Sequence, residues 1–336
     1  MRSLVRLQLA PLRQQPQEDP IQQMENRLQL QVIDIGARYG LHPSLKPLQD
    51  RCEILLIEPD REEAKQLESQ YSQSPKTKVM AVALGTSKTP QLLYLRRHRG
   101  LSGFYDVGVS NAHWRSDDYL IEQVIEVETV PLLNVITNKS TILKVDCEGA
   151  DLDILKSAGS KIDQIVGIRL EISLQPCWAG SHTFQEIHSF LSTNNFEFLC
   201  FDTTPIGEEW GTLPLPDSKK RFMSGDALYL RSERDLSLLS EILSASLFCY
   251  INRANGLGLK ILSRADGETL RGLRKTRQNC EELLYAYVLQ HLLEARRLPY
   301  YGAEQVDDLH MKLFDCPLPT RDEIFSRLNS LGLSIP

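Results

Sequence analysis

The fold class is decided by the stretch Val32-Ile33-Asp34-Ile35-Gly36-Ala37-Arg38-Tyr39-Gly40. Its first residues are apolar and β-branched, and this pattern predicts a buried strand. The strand runs into two glycines, Gly36 and Gly40, with Asp34 just ahead of the first. Glycine lets the backbone turn sharply and approach a ligand closely. The stretch therefore predicts a strand that ends in a tight turn, either an ordinary one or one that binds a ligand.

Short apolar runs alternate with helical segments after this stretch. Asp60 and Glu63 have capping-box spacing before one helix, and Thr183 and Glu186 have it before another. A shorter helical pattern after residue 150 is expected to stop at Gly159. The alternation predicts an α/β fold of Rossmann type, with a mostly parallel twisted sheet and helices on both faces. The predicted strands are 31–35, 53–57, 78–84, 91–95 (a hairpin strand), 141–145, 165–172, 196–201 and 226–230.

The chain contains three segments that differ in composition and in predicted secondary structure. Residues 1–29 form a polar leader, residues 30–232 the α/β domain, and residues 233–336 a C-terminal helical appendage with almost no strand pattern. We expect the appendage to pack on the α/β domain or to pair two subunits in a homodimer. Its predicted apolar face consists of Leu236, Leu239, Leu283, Leu284, Leu292 and Leu293.

Composition excludes several classes of protein. The 336 residues include 38 Lys and Arg against 44 Asp and Glu, a net charge of −6. Nucleic-acid binding requires concentrated basic residues, so no nucleic-acid partner is expected. No apolar run reaches the roughly 18–20 residues of a membrane span. The seven cysteines form no Cys-x-x-Cys pair, which argues against a zinc or redox motif and predicts a cytoplasmic protein.

An acidic residue at the end of the second strand points to a nucleoside. Glu58 follows Gly36 by 22 residues, and a carboxylate there can accept hydrogen bonds from both ribose hydroxyls. A dinucleotide site needs Gly-x-Gly-x-x-Gly to hold its pyrophosphate. Ala37 and Arg38 stand where the second glycine would be. A nucleoside without phosphate removes that requirement, and S-adenosylmethionine fits it.

A second group of polar residues lies in Leu143-Lys144-Val145-Asp146-Cys147-Glu148-Gly149-Ala150-Asp151. The two-residue period of a strand places Lys144, Asp146 and Glu148 on one side. A lysine on a central strand must be paired to be buried. If the strand that contains Glu171 is a neighbour, its carboxylate converges on the same edge. The alternatives are a structural ion pair and a Mg²⁺ site formed by the three carboxylates.

These stretches resemble, in order and spacing, the FkbM-type methyltransferases. The resemblance covers residues 30–232 and implies a class I methyltransferase fold that uses S-adenosylmethionine. It further implies O-methylation of a sugar or glycan, a polyketide-type natural product or another small hydroxyl compound. The additional matching motifs are Ile57-Glu58-Pro59-Asp60, Ala83-Leu84-Gly85, Val127-Glu128-Thr129-Val130-Pro131-Leu132, Leu170-Glu171-Ile172 and Asp226-Ala227-Leu228-Tyr229-Leu230-Arg231.

The resemblance also implies roles for individual residues. The glycine loop holds the methionine part of the cofactor, Glu58 holds the ribose, and Ala83 with Val82 or Leu84 lies near the adenine. Arg38 replaces an asparagine that is common in the family. The implied cofactor-binding residues are Asp34, Gly36, Ala37, Arg38, Gly40, Glu58, Pro59, Ala83, Leu84 and Asp146.

For catalysis we expect Asp146 or Glu148 to orient or deprotonate the acceptor hydroxyl, with Glu171 in support and Lys144 in the same group. No metal is predicted. His113 and His182 are rival bases, although a lone histidine is more often a surface or capping residue.

The cluster Arg96-Arg97-His98-Arg99 is either a grip for an anionic substrate or a solvated loop. Trp114 and Trp178 form either a sugar-stacking wall or ordinary packing. Two other functions stay open: an RNA methyltransferase, and a non-catalytic methyltransferase-like protein that binds a partner.

Overall fold

The chain divides into two compact units. The computed structural model describes residues 28–86, 88–107, 117–137, 139–174, 178–202, 206–209, 220–276, 279–298 and 302–333. One unit spans Leu30–Ser232, and the other contains Glu233–Pro336. Residues 1–27 of the predicted leader lie outside the described residues.

The first unit is built on a mostly parallel sheet in the order β10-β12-β9-β8-β1-β2-β3, with β11 paired to β12. Strands β9, β8, β1, β2 and β3 pair in parallel, while β12 is antiparallel to β9, β10 and β11. The predicted α/β class is therefore confirmed. The strands of the sheet are β1 (Leu30–Ile35), β2 (Glu53–Ile57), β3 (Thr77–Met80), β8 (Ser140–Val145), β9 (Ile165–Ser173), β10 (Phe196–Phe201), β11 (Ile206–Glu209) and β12 (Lys220–Arg231).

The register of the central strands sets the positions of the polar residues. Asp34 on β1 lies beside Lys144 on β8, which lies beside Arg169 on β9. All six residues of β1 are buried, as are all six of β8. The three charged side chains therefore form a row across the middle of the sheet, where each needs a charged partner.

Helices cover this sheet and supply its core. Side chains from α2 (Asp151–Lys156) and α3 (Phe184–Thr193) pack with β1, β8, β9 and β12 in one apolar cluster. The helix α3 begins at the predicted capping box of Thr183 and Glu186. The helix α2 ends at Lys156, before the predicted stop at Gly159, where a 3-10 helix (Gly159–Gln164) begins.

The predicted capping box of the first helix is wrong in one detail. The helix α1 (Arg61–Gln70) is capped by Asp60, whose side chain accepts a hydrogen bond from the amide of Glu62. Glu63 instead accepts a hydrogen bond from the amide of Tyr39, at 3.1 Å. The carboxylate of Glu63, which the spacing assigned to the helix cap, thus accepts a hydrogen bond from the glycine loop.

The run 78–84, predicted as one strand, is two strands. The strand β3 pairs with β2, whereas β4 (Ala83–Leu84) leaves the main sheet and pairs with β7 (Thr129–Val130). In the sequence, the predicted hairpin strand lies between β4 and β7. This strand, β5 (Gln91–Arg96), pairs antiparallel with β6 (Ile121–Val127). The remaining short 3-10 helices of this unit are Pro43–Leu48, Arg99–Leu101, Asp117–Tyr119 and Leu132–Asn134.

The second unit is helical among its described residues. Leu236, Leu283, Leu284, Leu292 and Leu293 are buried, whereas Leu239 is half-buried. Pairing of two subunits through this region stays a prediction. Among the described helices of the whole chain, none is long and apolar enough to cross a membrane. The helices are α4 (Leu239–Ile251), α5 (Asn255–Leu262), α6 (Gly267–Lys275), α7 (Asn279–Ala295), α8 (Ala303–Phe314) and α9 (Arg321–Ser330).

Gly36 is the glycine that the fold constrains most. Its φ is +74°, and a Cβ atom there would overlap the backbone carbonyl of Asp146. Gly180 has a similar φ of +83° but has no atom within 4 Å of the equivalent position. We expect Gly180→Ala to lower the free energy of unfolding by about 1–2 kcal/mol, the cost of a left-handed residue. Gly36→Ala should cost at least about 3 kcal/mol, because the clash adds to it.

Urea denaturation of both variants measures this difference. Equal losses in the two variants would contradict the close approach of the loop to β8.

Candidate functional site

A cavity of about 360 Å³ opens at the carboxyl ends of the central strands. Its size is within the range of small-molecule sites. The walls come from the turns after β1, β2 and β8, from β4, and from the segment after β5. The polar and small lining residues on which the site depends are Gly36, Arg38, Gly40, His42, Lys46, Glu58, Arg99, Lys144, Asp146 and Glu148.

The glycine loop is held by backbone hydrogen bonds and by Asp34. The amides of Gly36 and Ala37 both donate to the carbonyl of Ile57, each at 3.0 Å. Asp34 is fully buried, and its Oδ2 accepts a hydrogen bond from the amide of His42 at 2.8 Å. Burial raises the pKa of Asp34, while Lys144 and the His42 amide lower it. Asp34 therefore fixes the shape of the loop from beneath.

Lys144 connects the loop to the end of β8. Its Nζ lies 3.4 Å from Asp34 Oδ1 and 3.3 Å from Asp146 Oδ2, and it donates a hydrogen bond to the carbonyl of Gly36 at 3.1 Å. Burial lowers the pKa of Lys144, but the charges of Asp146 and Asp34 raise it by more than this, so the net shift of the pKa is upward. Lys144 stays cationic and orients its neighbours, and its contacts fit positioning better than proton transfer.

Glu58 is buried at the end of β2 and shares an ion pair with Arg38. Its Oε1 lies 3.3 Å from Arg38 Nη2 and accepts a hydrogen bond from the amide of Asp60 at 2.9 Å. Both contacts use the same oxygen. Within the described residues no contact occupies Oε2, which leaves it available to ribose hydroxyls. Burial raises the pKa of Glu58, and the charge of Arg38 lowers it.

Arg38 is neutralised on three sides. Besides Glu58, it contacts Asp60 Oδ2 at 2.8 Å and Glu63 Oε2 at 3.8 Å. This explains how a long cation is accommodated beside the cavity. The guanidinium holds the carboxylates of β2 and α1 in place.

The apolar part of the cavity lies next to Glu58. Ile57, Pro59, Ala83 and Leu84 line it, together with Ile154. Ala83, Leu84 and Pro59 thus line the cavity, and their contact with the cofactor stays a prediction. Val82 is not among the lining residues, so of the two predicted apolar contacts only Leu84 reaches the cavity.

Three carboxylates converge beyond Lys144. One oxygen each of Asp146, Glu148 and Glu171 lies within 4.8 Å of the others. The sequence predicted this convergence on the condition that β8 and β9 are neighbours, and they are. Burial and the neighbouring carboxylates raise the pKa of both Glu148 and Glu171 well above the ordinary value. Such a cluster shares protons, or it binds a divalent cation in their place.

The backbone after β8 presents this cluster. Glu148 has a positive φ of 49°, which turns its side chain out of the strand direction. Asp151 accepts hydrogen bonds from the amides of Cys147 and Gly149, both at 3.2 Å. Burial and the charge of Asp146 raise the pKa of Asp151 to about 6. The turn is therefore fixed by a carboxylate that lies behind it.

His42 is a cavity residue that the sequence did not reveal. Its Nδ1 accepts a hydrogen bond from the amide of Ser44, which leaves the ring proton on Nε2. Burial lowers its pKa to about 4, with Arg169 and Lys144 contributing. His42 is therefore a neutral donor at physiological pH. It lies outside the predicted elements, and no periodicity could have identified it.

Several residues that the sequence left open as substrate contacts or structural residues have structural contacts. Arg96 is fully buried, donates to the carbonyls of Leu101 and Tyr105, and lies 4.8 Å from the centre of the Trp178 ring. Trp178 is 6% exposed, so it packs rather than forming a sugar-stacking wall. Arg97 pairs with Asp117 and Glu122 on the surface.

Of the two histidines proposed as rival bases, His182 contacts Asp153 and Glu186, at 3.2 and 3.5 Å. His182 is not among the residues that line the cavity, which favours the alternative of a surface or capping histidine. His113 and Trp114 lie outside the described residues.

Comparison with known proteins identifies the domain. Residues 34–198 match the model of the methyltransferase FkbM domain. This segment is an FkbM methyltransferase domain. A search of curated proteins finds no match.

The chain is also similar to solved methyltransferase structures. One is precorrin-6y C5,15-methyltransferase from Geobacter metallireducens, at 10% identity and a TM-score of 0.30, covering 63% of this chain and 86% of that chain. A putative RNA methyltransferase from Pyrococcus horikoshii has 14% identity and a TM-score of 0.33, covering 62% and 79%. A putative tRNA (m1A22) methyltransferase from Streptococcus pneumoniae has 8% identity and a TM-score of 0.32, covering 88% and 100%.

The cofactor of the FkbM domain is S-adenosylmethionine, and the cavity has the donors that this molecule needs. Glu58 presents a free carboxylate oxygen for the ribose, and Ala83 and Leu84 form an apolar surface for the adenine. The turn at Gly36 would bring the backbone against the methionine end. The chain is accordingly an S-adenosylmethionine-dependent methyltransferase.

Arg38 should affect cofactor binding through the charge of Glu58. In Arg38→Met the pKa of Glu58 rises further above its ordinary value, because the compensating cation is gone. More of Glu58 is then protonated at pH 6 than at pH 8, and a protonated carboxyl binds the ribose hydroxyls less well. We expect the Kd for S-adenosylmethionine, relative to the wild type, to rise about tenfold at pH 6 and by less at pH 8.

Isothermal titration calorimetry at the two pH values measures this effect. Arg97→Met is the matched control, because Arg97 is an exposed arginine with two carboxylate partners. A loss of affinity in Arg38→Met that does not depend on pH would assign Arg38 a purely steric role.

Proposed function

We propose that this methyltransferase transfers the methyl group to a hydroxyl oxygen of a sugar, a glycan or another small hydroxyl compound. The observation that carries the proposal is the carboxylate cluster at the end of β8, which adjoins the glycine loop. A hydroxyl acceptor must lose its proton as the oxygen attacks the methyl carbon. Asp146, Glu148 and Glu171 form a proton-accepting group at the edge of the cofactor cavity.

The cofactor, when bound, supplies a methyl group that its sulfonium charge has already activated. The protein therefore needs mainly to position the acceptor, and orientation accounts for several kcal/mol of such a barrier. Asp146, held by Lys144, is placed to accept a hydrogen bond from the acceptor hydroxyl. The coupled pair of Glu148 and Glu171 takes up the proton as the new O–C bond forms and the C–S bond breaks.

Charge also bears on the acceptor. The net charge of −6 makes a polyanionic acceptor such as RNA unfavourable. Arg38, which replaces the asparagine that is common in the family, is paired with three carboxylates. A catalytic function is therefore compatible with this departure from the family pattern.

The direct test is methyl transfer from radiolabelled cofactor to three pools: hydroxylated small molecules, glycans and RNA. We expect label in one of the first two pools. Label in RNA alone would overturn the acceptor class, and no label in any pool from protein that binds the cofactor would support the non-catalytic alternative.

Asp146→Asn should separate chemistry from folding. The amide keeps the shape of the side chain but carries no negative charge. It therefore no longer provides the anionic oxygen that accepts the hydrogen bond of the acceptor hydroxyl. We expect kcat to fall by about 10²–10⁴, with a circular dichroism spectrum like that of the wild type. Asp117→Asn, a change at an exposed ion pair, is the control. An unchanged kcat would remove Asp146 from the reaction.

The carboxylate pair predicts the pH dependence of the reaction. Because the pKa of Glu148 and that of Glu171 are both raised, kcat should increase with pH through a midpoint above the ordinary carboxyl range. Glu171→Gln removes one of two repelling charges, so the pKa of Glu148 falls and the midpoint moves to lower pH. Glu197→Gln, on the exposed face of β10, should leave the profile unchanged.

A pH–rate profile of the three proteins tests this expectation. A midpoint that stays in place in Glu171→Gln would show that the coupled pair does not control the rate.

A further inference from the structure

The segment after β5 forms one wall of the cavity. It consists of the 3-10 helix Arg99–Leu101 and of Ser102, Gly103 and Phe104, and all of these except Leu101 line the cavity. The amide of Gly103 donates to the carbonyl of Tyr94 at 3.3 Å, and Tyr94 donates back at 3.0 Å. These bonds attach the wall to the β5–β6 hairpin.

The wall extends from the carboxylate cluster to the glycine loop. A Cβ atom on Gly103 would lie 3.0 Å from Cβ of Glu148, and one on Gly100 would lie 3.8 Å from the ring of Tyr39. Arg99 therefore lies where the segment approaches the loop, next to the expected position of the methionine end of the cofactor.

Arg99 has an unused donor at this position. Its Nη2 lies 3.6 Å from Glu122 Oε2, outside hydrogen-bond distance. Its Nη1 is buried and has no hydrogen-bond partner among the described residues. A buried guanidinium N–H without an acceptor is costly. The atom is thus available to an acceptor that the described residues do not supply.

Two other cations of the cavity, Lys144 and Arg38, are already engaged by carboxylates. Lys144 is shared by Asp34 and Asp146, and Arg38 is held by three carboxylates. Lys46 lies on the exposed rim. The methionine part of S-adenosylmethionine carries a carboxylate, and a guanidinium binds a carboxylate with charge-assisted hydrogen bonds.

We propose that Arg99 binds the carboxylate of the methionine part of S-adenosylmethionine, so that the β5–β6 hairpin contributes a residue to the cofactor site. The assignment depends on cofactor binding and not on the identity of the acceptor. It can fail while the proposed function stands, and the reverse also holds.

The test compares S-adenosylmethionine with decarboxylated S-adenosylmethionine, which lacks only the carboxylate and keeps the amine and the sulfonium. Calorimetry gives both Kd values for the wild type, Arg99→Gln and Arg99→Lys. We expect Arg99→Gln to weaken binding of S-adenosylmethionine about tenfold or more. Its Kd for the decarboxylated ligand should stay within about twofold of the wild-type value. Arg99→Lys should restore part of the difference, because it keeps the charge.

Arg97→Gln is the control, since Arg97 also pairs with Glu122 but is not among the residues that line the cavity. It should leave both affinities unchanged. Equal weakening of both ligands by Arg99→Gln would overturn the proposal in favour of a structural role. If Arg99→Gln bound both ligands as tightly as the wild type, the proposal would also be overturned. Nη1 of Arg99 would then be available to an anionic group of the acceptor.

Discussion

The site depends on one buried cation, Lys144. Its ammonium group lies between Asp34 on β1 and Asp146 at the end of β8, and it donates to the carbonyl of Gly36. Removing Lys144 would leave the buried Asp34 carboxylate without its cation, which costs far more than the pair contributes. The two strands, the glycine loop and the first carboxylate of the cluster therefore have to be in place together. This single side chain therefore links the glycine loop, which would hold the cofactor, to the carboxylate that we propose positions the acceptor.

Arg38 does for the outer side of the cavity what Lys144 does for its centre. It gathers Glu58, Asp60 and Glu63 around one guanidinium, and it uses only one oxygen of Glu58. Both cations hold acidic residues that would otherwise repel one another across a small space. For Glu148 and Glu171, in contrast, burial and the neighbouring carboxylates raise the pKa well above the ordinary value, although Arg96 lowers the pKa of Glu148 in part. Lys144 and Arg38 thus offset the charges of Asp34 and Glu58, whereas Glu148 and Glu171 form the pair that we propose takes up the proton.

Much of this arrangement could be predicted from the sequence, because parallel strands bring their carboxyl ends to one edge. Asp34, Glu58, Asp146 and Glu171 each end or follow an apolar run, so strand order alone was enough to bring them together. The residues that could not be predicted lie between the strands. Arg96 and Trp178 could each be read from the sequence as a substrate contact. In the structure the guanidinium of Arg96 packs on the ring of Trp178. The run 78–84 looked continuous because its apolar pattern carries no information about the change of pairing partner from β2 to β7.

The same reasoning shows why Arg99 could not be separated from its neighbours by sequence. Arg96, Arg97 and Arg99 form one basic cluster, yet the hairpin sends them to different environments. Arg96 is buried against backbone carbonyls, Arg97 pairs with exposed carboxylates, and Arg99 lies at the cavity with an unpaired buried nitrogen. A strand directs alternate side chains to opposite faces, and the 3-10 turn that follows β5 breaks that alternation at Arg99. The end of β5 therefore determines that Arg99, and not Arg96 or Arg97, lines the cavity. The number of basic residues in the cluster does not determine this.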